Sequence, residues 1–319
     1  MIEVFRTTNA VEAALVKSYL GGADLPHFVI DEGTVITGSP HASFRVMTLE
    51  ADATIVRALL NKAGFFGEAP AGEIIETTLL HGRVELLQPK IGFHASIDSV
   101  FLAAAVPIVE KAHILDVGCG VGSAGLCVLA RTRDMRLTGI DIQPELIELA
   151  KQNAVLNEIE SLCRFVHGDI RTETDIVDNA FSSVLMNPPY QEGGTHTPSP
   201  TRNKALSHGE EASGATLEDW VKYAHRKLKQ AGTLVMIHRA DRMSEIVAVL
   251  ERRRWFGSLV IYPLFSRAGD DAKRVIITAR KERFAPMALK TGMVIHEADG
   301  KYTEAAQRVL SAAEALDFG

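Results

Sequence analysis

The stretch His113-Ile114-Leu115-Asp116-Val117-Gly118-Cys119-Gly120-Val121-Gly122 decides the fold. Residues His113 to Val117 read as a buried strand, and the glycines at 118, 120 and 122 make a turn that opens the helix expected over Gly125 to Arg131. Glycine is needed in such a turn because a side chain would block a ligand's approach and because the backbone takes angles that other residues resist. From about residue 76 onward strands and helices alternate, the pattern of an α/β parallel sheet covered on both faces. Expected strands are Leu137 to Asp141, Arg164 to Val166, Ser183 to Met186, Thr233 to His238, Ser258 to Pro263 and Arg274 to Ala279. Expected helices are Pro144 to Asn157, Leu217 to Leu228 and Met243 to Arg252. The apolar run Val100 to Val109 reads as a buried helix, about half the length that a bilayer span needs.

In sheets of this kind ligands bind beyond the carboxyl ends of the strands, and three aspartates fall at successive ends. Asp116 closes the first strand. Asp141, about 25 residues further on, is placed to accept hydrogen bonds from both ribose hydroxyls of a bound nucleoside. Asp169, in His167-Gly168-Asp169-Ile170, suits the amine of an adenine. A ribose carboxylate serves a nicotinamide dinucleotide or S-adenosylmethionine equally, so the glycine turn and Asp141 alone leave a dehydrogenase open.

Asn187-Pro188-Pro189-Tyr190, directly after the apolar strand Val184-Leu185-Met186, separates the two. Two prolines fix the backbone and withhold two N–H donors, which leaves the Pro188 carbonyl as a rigid acceptor. An amine conjugated to a ring is a poor nucleophile because its lone pair is delocalised. Hydrogen bonds from that amine to the Asn187 side-chain oxygen and the Pro188 carbonyl favour a geometry in which the lone pair faces a methyl donor. Tyr190 offers an aromatic face to the base. The reaction expected is in-line transfer of a sulfonium methyl to a planar nitrogen, with S-adenosylhomocysteine as the other product and no metal. His196 and His208 read as exposed loop residues, and 191–214, rich in Gly, Ser, Thr and Pro, is expected to be poorly ordered without substrate.

The chain has 319 residues, 46% of them apolar and 23% charged, enough for one large domain and a smaller one. Glu3 stands where a secretory signal would be cationic and no apolar segment follows, so a cytoplasmic protein without a membrane anchor is expected. Cys119, Cys127 and Cys163 form no CxxC pair, which gives no support to a disulfide framework or a zinc site. The net charge of −6 argues against a nucleic-acid partner, but between positions 201 and 290 Lys and Arg exceed Asp and Glu by about eight. That excess, which includes Arg252-Arg253-Arg254, Lys273-Arg274 and Arg280-Lys281, permits RNA binding. Residues 1–67 read as a small α+β domain, with strands Ile2 to Arg6, His27 to Asp31 and Phe44 to Leu49 and helices Ala10 to Leu20 and Ala51 to Ala63. A Gly- and Pro-bearing linker, 68–75, leads to the main domain, 76–319. The oligomeric state is open, with a monomer favoured.

Residues from about 76 to 318 resemble the bacterial tRNA1(Val) (adenine-N6)-methyltransferase family, within the small-domain methyltransferase group. The resemblance lies in Gln88-Pro89-Lys90-Ile91-Gly92-Phe93, Asp98-Ser99-Val100-Phe101-Leu102, the glycine turn, Asn187 to Tyr190, Thr201-Arg202-Asn203-Lys204-Ala205 and Gly300-Lys301-Tyr302-Thr303-Glu304. It implies a Rossmann-like class I fold with a seven-stranded, mostly parallel sheet and helices on both faces. It implies S-adenosylmethionine as cofactor and a tRNA as partner, with the adenosine 3′ of the anticodon (position 37) as target. Asp98, Asp116, Gly118, Gly120, Gly122, Asp141, Ile142, Asp169, Ile170 and Asn187 would line the cofactor, and Asn187, Pro188, Pro189 and Tyr190 the target base. The sequence departs from the family in its front domain and in reading Ile97 where a threonine is usual before the aspartate. The front domain resembles a family of small prokaryotic signal-transducing domains.

Three other activities fit part of this pattern. Enzymes that methylate a glutamine amide in peptide-release factors resemble the chain in the Asn-Pro-Pro-Tyr motif but usually carry a helical front domain. Enzymes that methylate guanine N2 in ribosomal RNA tend to have Phe in place of Tyr190. A non-catalytic RNA-binding or cofactor-sensing module would not need the motif intact.

Overall fold

The computed structural model describes residues 2–7, 16, 17, 20, 27–31, 44–49, 56, 74–90, 95–189 and 214–318. The chain divides into two units, Met1–Gly72 and Glu73–Gly319. In the first, β1 (Ile2–Thr7), β2 (His27–Asp31) and β3 (Phe44–Thr48) form an antiparallel sheet in the order β1-β3-β2. Val16, Leu20, Val46 and Val56 are fully buried there. The helices expected over 10–20 and 51–63 lie largely outside the described residues.

The second unit begins with a hairpin that the sequence did not announce, β4 (Ile74–Leu79) and β5 (Val84–Pro89). Residues 74 and 75, assigned from sequence to the linker, are thus the first two of β4. Helix α1 (Ile97–Ala104) follows, with Ser96 accepting the Asp98 N–H as its N-cap. The apolar run expected to stay helical to Val109 stops here, because Pro107 cannot continue a helix, and Ile108 and Val109 are exposed.

The remaining strands are β6 (His113–Val117), β7 (Arg136–Asp141), β8 (Cys163–His167), β9 (Phe181–Met186), β10 (Leu228–Arg239), β11 (Phe256–Phe265) and β12 (Ala272–Lys281). They form one sheet in the order β11-β12-β10-β9-β6-β7-β8, extended at the β11 edge by two two-residue strands, β13 (Ala288–Leu289) and β14 (Met293–Val294). Only β12 runs against its neighbours. The seven long strands, mostly parallel, are those expected.

Helices α2 (Ser123–Arg131), α3 (Pro144–Leu156) and α6 (Glu304–Ala312) join α1 on one face, and α4 (Leu217–Lys227) and α5 (Met243–Glu251) cover the other. Successive strand side chains point to opposite faces. Ile114, Leu185 and Val235 therefore enter the core under α1 and α2, whereas Leu115, Val184 and Leu234 enter the core under α4 and α5. Burial on both faces explains why these strands read as continuous apolar runs.

Two asparagines attach the hairpin to this body. Asn153, in the last turn of α3, and Asn157, its C-cap, stand four residues apart and so share a face. Asn153 accepts the Leu87 N–H at 2.7 Å and donates to the Leu87 carbonyl at 3.0 Å. Asn157 does the same for Glu85 at 2.9 and 2.7 Å. The side-chain amides stand in for a further strand along β5, meeting the hydrogen-bonding demand of its main chain.

Candidate active site

The chain winds from β6 outward through β7 and β8, then returns to place β9 on the other side of β6. That reversal is the topological switch point, where the connections leave a crevice beyond the carboxyl ends of the strands. Register makes the row explicit. Val117 lies opposite both Ile140 and Met186, and Met186 lies opposite Met236. One residue further along each strand stand Gly118, Asp141, Asn187 and Ile237, so the glycine turn, the Asp141 carboxylate and the Asn-Pro-Pro motif emerge side by side.

The turn is fixed from beneath. Gly118 and Cys119 both donate to the Ile140 carbonyl, at 2.8 and 3.0 Å. Gly118, Gly120 and Gly122 have φ of +67°, +54° and +87°, a region that residues with a Cβ enter at a cost. A Cβ at Gly118 would also run into the Trp220 ring of α4. Asn153 reaches the turn as well, donating to the Val121 carbonyl at 2.9 Å.

Asp141 is almost entirely buried and accepts the Gly120 N–H on Oδ2 at 2.8 Å and the Gln143 N–H on Oδ1 at 2.9 Å. Burial raises its pKa, against the opposing effect of these N–H groups. A carboxylate has about four acceptor positions, so capacity remains for hydroxyl donors. Ile142, next in the chain, takes the His167 ring on its carbonyl at 3.1 Å.

Asp116 is buried directly below the turn, and its Oδ2 accepts the Gly125 N–H of α2 at 3.0 Å. Burial, with the Asp141 carboxylate adding, pushes its pKa up to about 7. Asp169 is held by its near neighbour Arg171, whose Nη2 donates to Oδ2 at 2.6 Å and which keeps the carboxyl below its usual range. Ile170 packs partly buried against the core under α4. Asp98 receives Arg274 Nε on Oδ2 at 3.0 Å, a link from α1 to β12.

Asn187 and Pro189 are half-buried and Pro188 is buried at the end of β9. Tyr190, His196, His208 and 191–213 lie outside the described residues, and so do the order expected of that segment and residues 201–205 of the resemblance. Behind the motif stands His238, fully buried at the end of β10, its Nδ1 accepting the Arg239 N–H at 2.8 Å.

Sequence reading missed four residues of this region. His238 looks like one more member of an apolar strand; Asn153 carries no motif; Trp220 reads as an apolar position of a helix; Arg274 was visible only as part of a basic cluster. The basic clusters also part company. Arg274 pairs in register with Arg239, at the carboxyl edge of β10, whereas Arg280 pairs with Thr233 and Gly257 near the opposite edge.

The residues fit an adenosyl cofactor. Asp141 has acceptor capacity at the end of β7, the turn has the angles that glycine permits, and the buried Trp220 Nε1–H, from a ring lying against Gly118, has no hydrogen-bond partner among the described residues. Sheet order, switch point and strand-end carboxylate together define a Rossmann-like class I methyltransferase. Residues 94–254 match the model described as "Methyltransferase small domain", half of the chain, and the protein belongs to that family. It is an S-adenosylmethionine-dependent methyltransferase.

Residues 1–64 match a second model, "Putative prokaryotic signal transducing protein". Among curated proteins, the tRNA1(Val) (adenine(37)-N6)-methyltransferase of Shewanella sp. (strain MR-4) is 25% identical over 220 residues, 67% of this chain and 88% of that one. The enzyme of the same name from Dickeya chrysanthemi (strain Ech1591) is 25% identical over 215 residues, 66% of this chain and 83% of that one. Among solved structures, "a predicted O-methyltransferase, protein Atu636 from Agrobacterium tumefaciens" is 25% identical, with a TM-score of 0.56 over 69% of this chain and 98% of that one. No described helix is long and apolar enough to cross a membrane.

Proposed function

We propose that the protein methylates the N6 amine of an adenine in tRNA, and that the target is the adenosine 3′ of the anticodon, position 37, of a valine tRNA. The bound cofactor supplies an electrophilic methyl on a sulfonium. The chain's own residues hold the acceptor. Asn187 Oδ1 and the Pro188 carbonyl take the two N–H bonds of the amine, which turns its lone pair toward the methyl and stabilises positive charge as it develops on nitrogen. Deprotonation follows transfer, so no general base is assigned. Tyr190 stacks on the base, which is presented unpaired. Asp141 takes the ribose hydroxyls, and Asp169, released from Arg171, the adenine amine of the cofactor.

The observation that carries this is the position of Asn187-Pro188-Pro189, one residue beyond the Val117–Met186 pair and beside the glycine turn. The activity for which the curated relatives are named supports adenine and tRNA over other planar amines.

The test is methyl incorporation from isotopically labelled cofactor into tRNA lacking the modification, into ribosomal RNA and into a peptide-release factor, with nucleosides read by mass spectrometry. N6-methyladenosine at position 37 of one valine tRNA is expected. Label only in protein, or only as N2-methylguanosine, rejects the proposal.

A further inference from the structure

We infer that Asn153 is a positioning residue for the cofactor, setting the glycine turn against the β4–β5 hairpin through the Val121 carbonyl. This deepens the proposed function and rests on its reading of Asp141, with the glycine turn beside it, as the cofactor's seat.

The Asn153 side chain is fully buried, and its amide is committed to two partners. Nδ2 donates to the Val121 carbonyl at 2.9 Å and to the Leu87 carbonyl at 3.0 Å, while Oδ1 accepts the Leu87 N–H at 2.7 Å. A side-chain amide has two hydrogens to give, and both are used. One group therefore joins segments 32 and 66 residues away from it in the chain. Apolar contact repeats the link, since Val121 packs with Leu146 and Leu149 of α3 and with Leu87 of the hairpin.

The turn needs such a hold. Val121 stands between Gly120 and Gly122, whose φ are +54° and +87°. The missing Cβ that admits these angles also makes rotation of the intervening peptides easy. The Val121 carbonyl and the Gly122 N–H belong to one planar unit, so fixing the carbonyl also fixes the direction of the N–H, which donates to the Cys119 carbonyl at 2.8 Å. On its other side the turn is held by Asp141, whose Oδ2 accepts the Gly120 N–H at 2.8 Å. Without Asn153 the Val121 carbonyl would be left buried and unpaired, a cost that turning the peptide over relieves. That movement would carry the main chain of the turn out of the shape that receives the cofactor.

Asn157 supplies an internal control. It makes the same pair of bonds to Glu85, at 2.9 and 2.7 Å, and among the described residues none to the turn. A residue that only attached the hairpin would behave like Asn157.

The experiment measures the Kd of S-adenosylhomocysteine by calorimetry for the full chain and for Asn153→Leu, Asn157→Leu and Asp141→Ala, at a temperature where circular dichroism shows each protein folded. Asn153→Leu is expected to weaken binding about tenfold and Asn157→Leu to leave it within about twofold. An unchanged Kd in Asn153→Leu beside a weakened one in Asp141→Ala overturns the inference and leaves the seat in place. Should Asp141→Ala itself bind normally, the reading of the seat fails and this inference with it. Equal losses in the two asparagine variants assign the effect to the hairpin as a whole and reject a separate role for Asn153. If Asn153→Leu does not fold, hydrogen exchange on the unaltered chain decides. A ligand that depends on the anchor must strengthen it in return, so bound S-adenosylhomocysteine should slow exchange of the Leu87 amide about tenfold or more and that of Glu85 by no more than about threefold. Equal slowing of the two amides overturns the inference.

Discussion

Arg274 Nε meets Asp98 Oδ2 at 3.0 Å, joining α1 to a strand 176 residues later in the chain. The Asp98 side chain is largely buried and that of Arg274 about one-third exposed, so solvent screens the pair only in part. The bond ties the start of the helix that precedes the glycine turn to the half of the sheet that carries the Asn-Pro-Pro motif.

A double-mutant cycle with Asp98→Asn and Arg274→Met should give a coupling of about 1 kcal/mol in denaturant unfolding. Additive losses would show that the two side chains stand together without stabilising each other.

Asp141 and Asn187 should separate binding from turnover. Asp141→Ala removes the acceptor proposed for the ribose hydroxyls and is expected to weaken cofactor affinity by tenfold or more, on the order of 1.4 kcal/mol. Asn187→Ala is expected to lower kcat about a hundredfold with affinity nearly intact. Calorimetry and single-turnover rates on the two variants check the split; matching losses of affinity in both would merge the two roles.

The pH dependence of stability follows from Asp116. Its folded pKa is about 7 against an ordinary value of 3.8. Between these values the unfolded chain has lost the proton and the folded chain keeps it, so the group's contribution falls as pH rises through the window and is level above it. Asp116→Asn keeps an oxygen for Gly125 and cannot ionise. Without cofactor, the variant's stability relative to wild type should rise between about pH 4 and pH 7, by up to about 4 kcal/mol. A difference that stays constant over that range would mean that Asp116 ionises normally in its burial.

If RNA binds over the carboxyl edge, the basic clusters should differ in effect. Lys273 is exposed beside Arg274 at that edge. Arg254, stacked over Phe284 at 4.4 Å, precedes β11, whose first residue pairs with Lys281 at the other edge. Arg274 and Arg280 are six residues apart on one strand, roughly 20 Å at the usual rise. Lys273→Glu should weaken RNA binding severalfold and lower its salt dependence, and Arg254→Glu should leave both nearly unchanged. Equal effects would spread the footprint over both edges.

Much of this was legible because the information is local. Apolar runs named each of the seven long strands, glycines named the turn, and Asp116 and Asp141 stand at strand ends as read, since each signal lies within a few residues of what it specifies. Ends were less legible: β10 starts at Leu228 and β12 runs to Lys281, well outside the windows that apolar pattern alone marks. The β4–β5 hairpin escaped because its first strand alternates half-buried and exposed residues and its edge is completed by asparagines about 70 positions away.

What the sequence determined by itself is the alternation of strand and helix, the turn, the strand-end carboxylates and the Asn-Pro-Pro-Tyr motif. The tertiary structure decided which of these meet. Parallel neighbours are joined only through crossovers, so the order that sets β9 against both β6 and β10 is a property of the packed sheet and of no single segment. For the same reason His238, spelled like any buried strand residue, comes level with the Asn-Pro-Pro motif only once two strands lie side by side, and Arg274 becomes the partner of Asp98 only across a closed core.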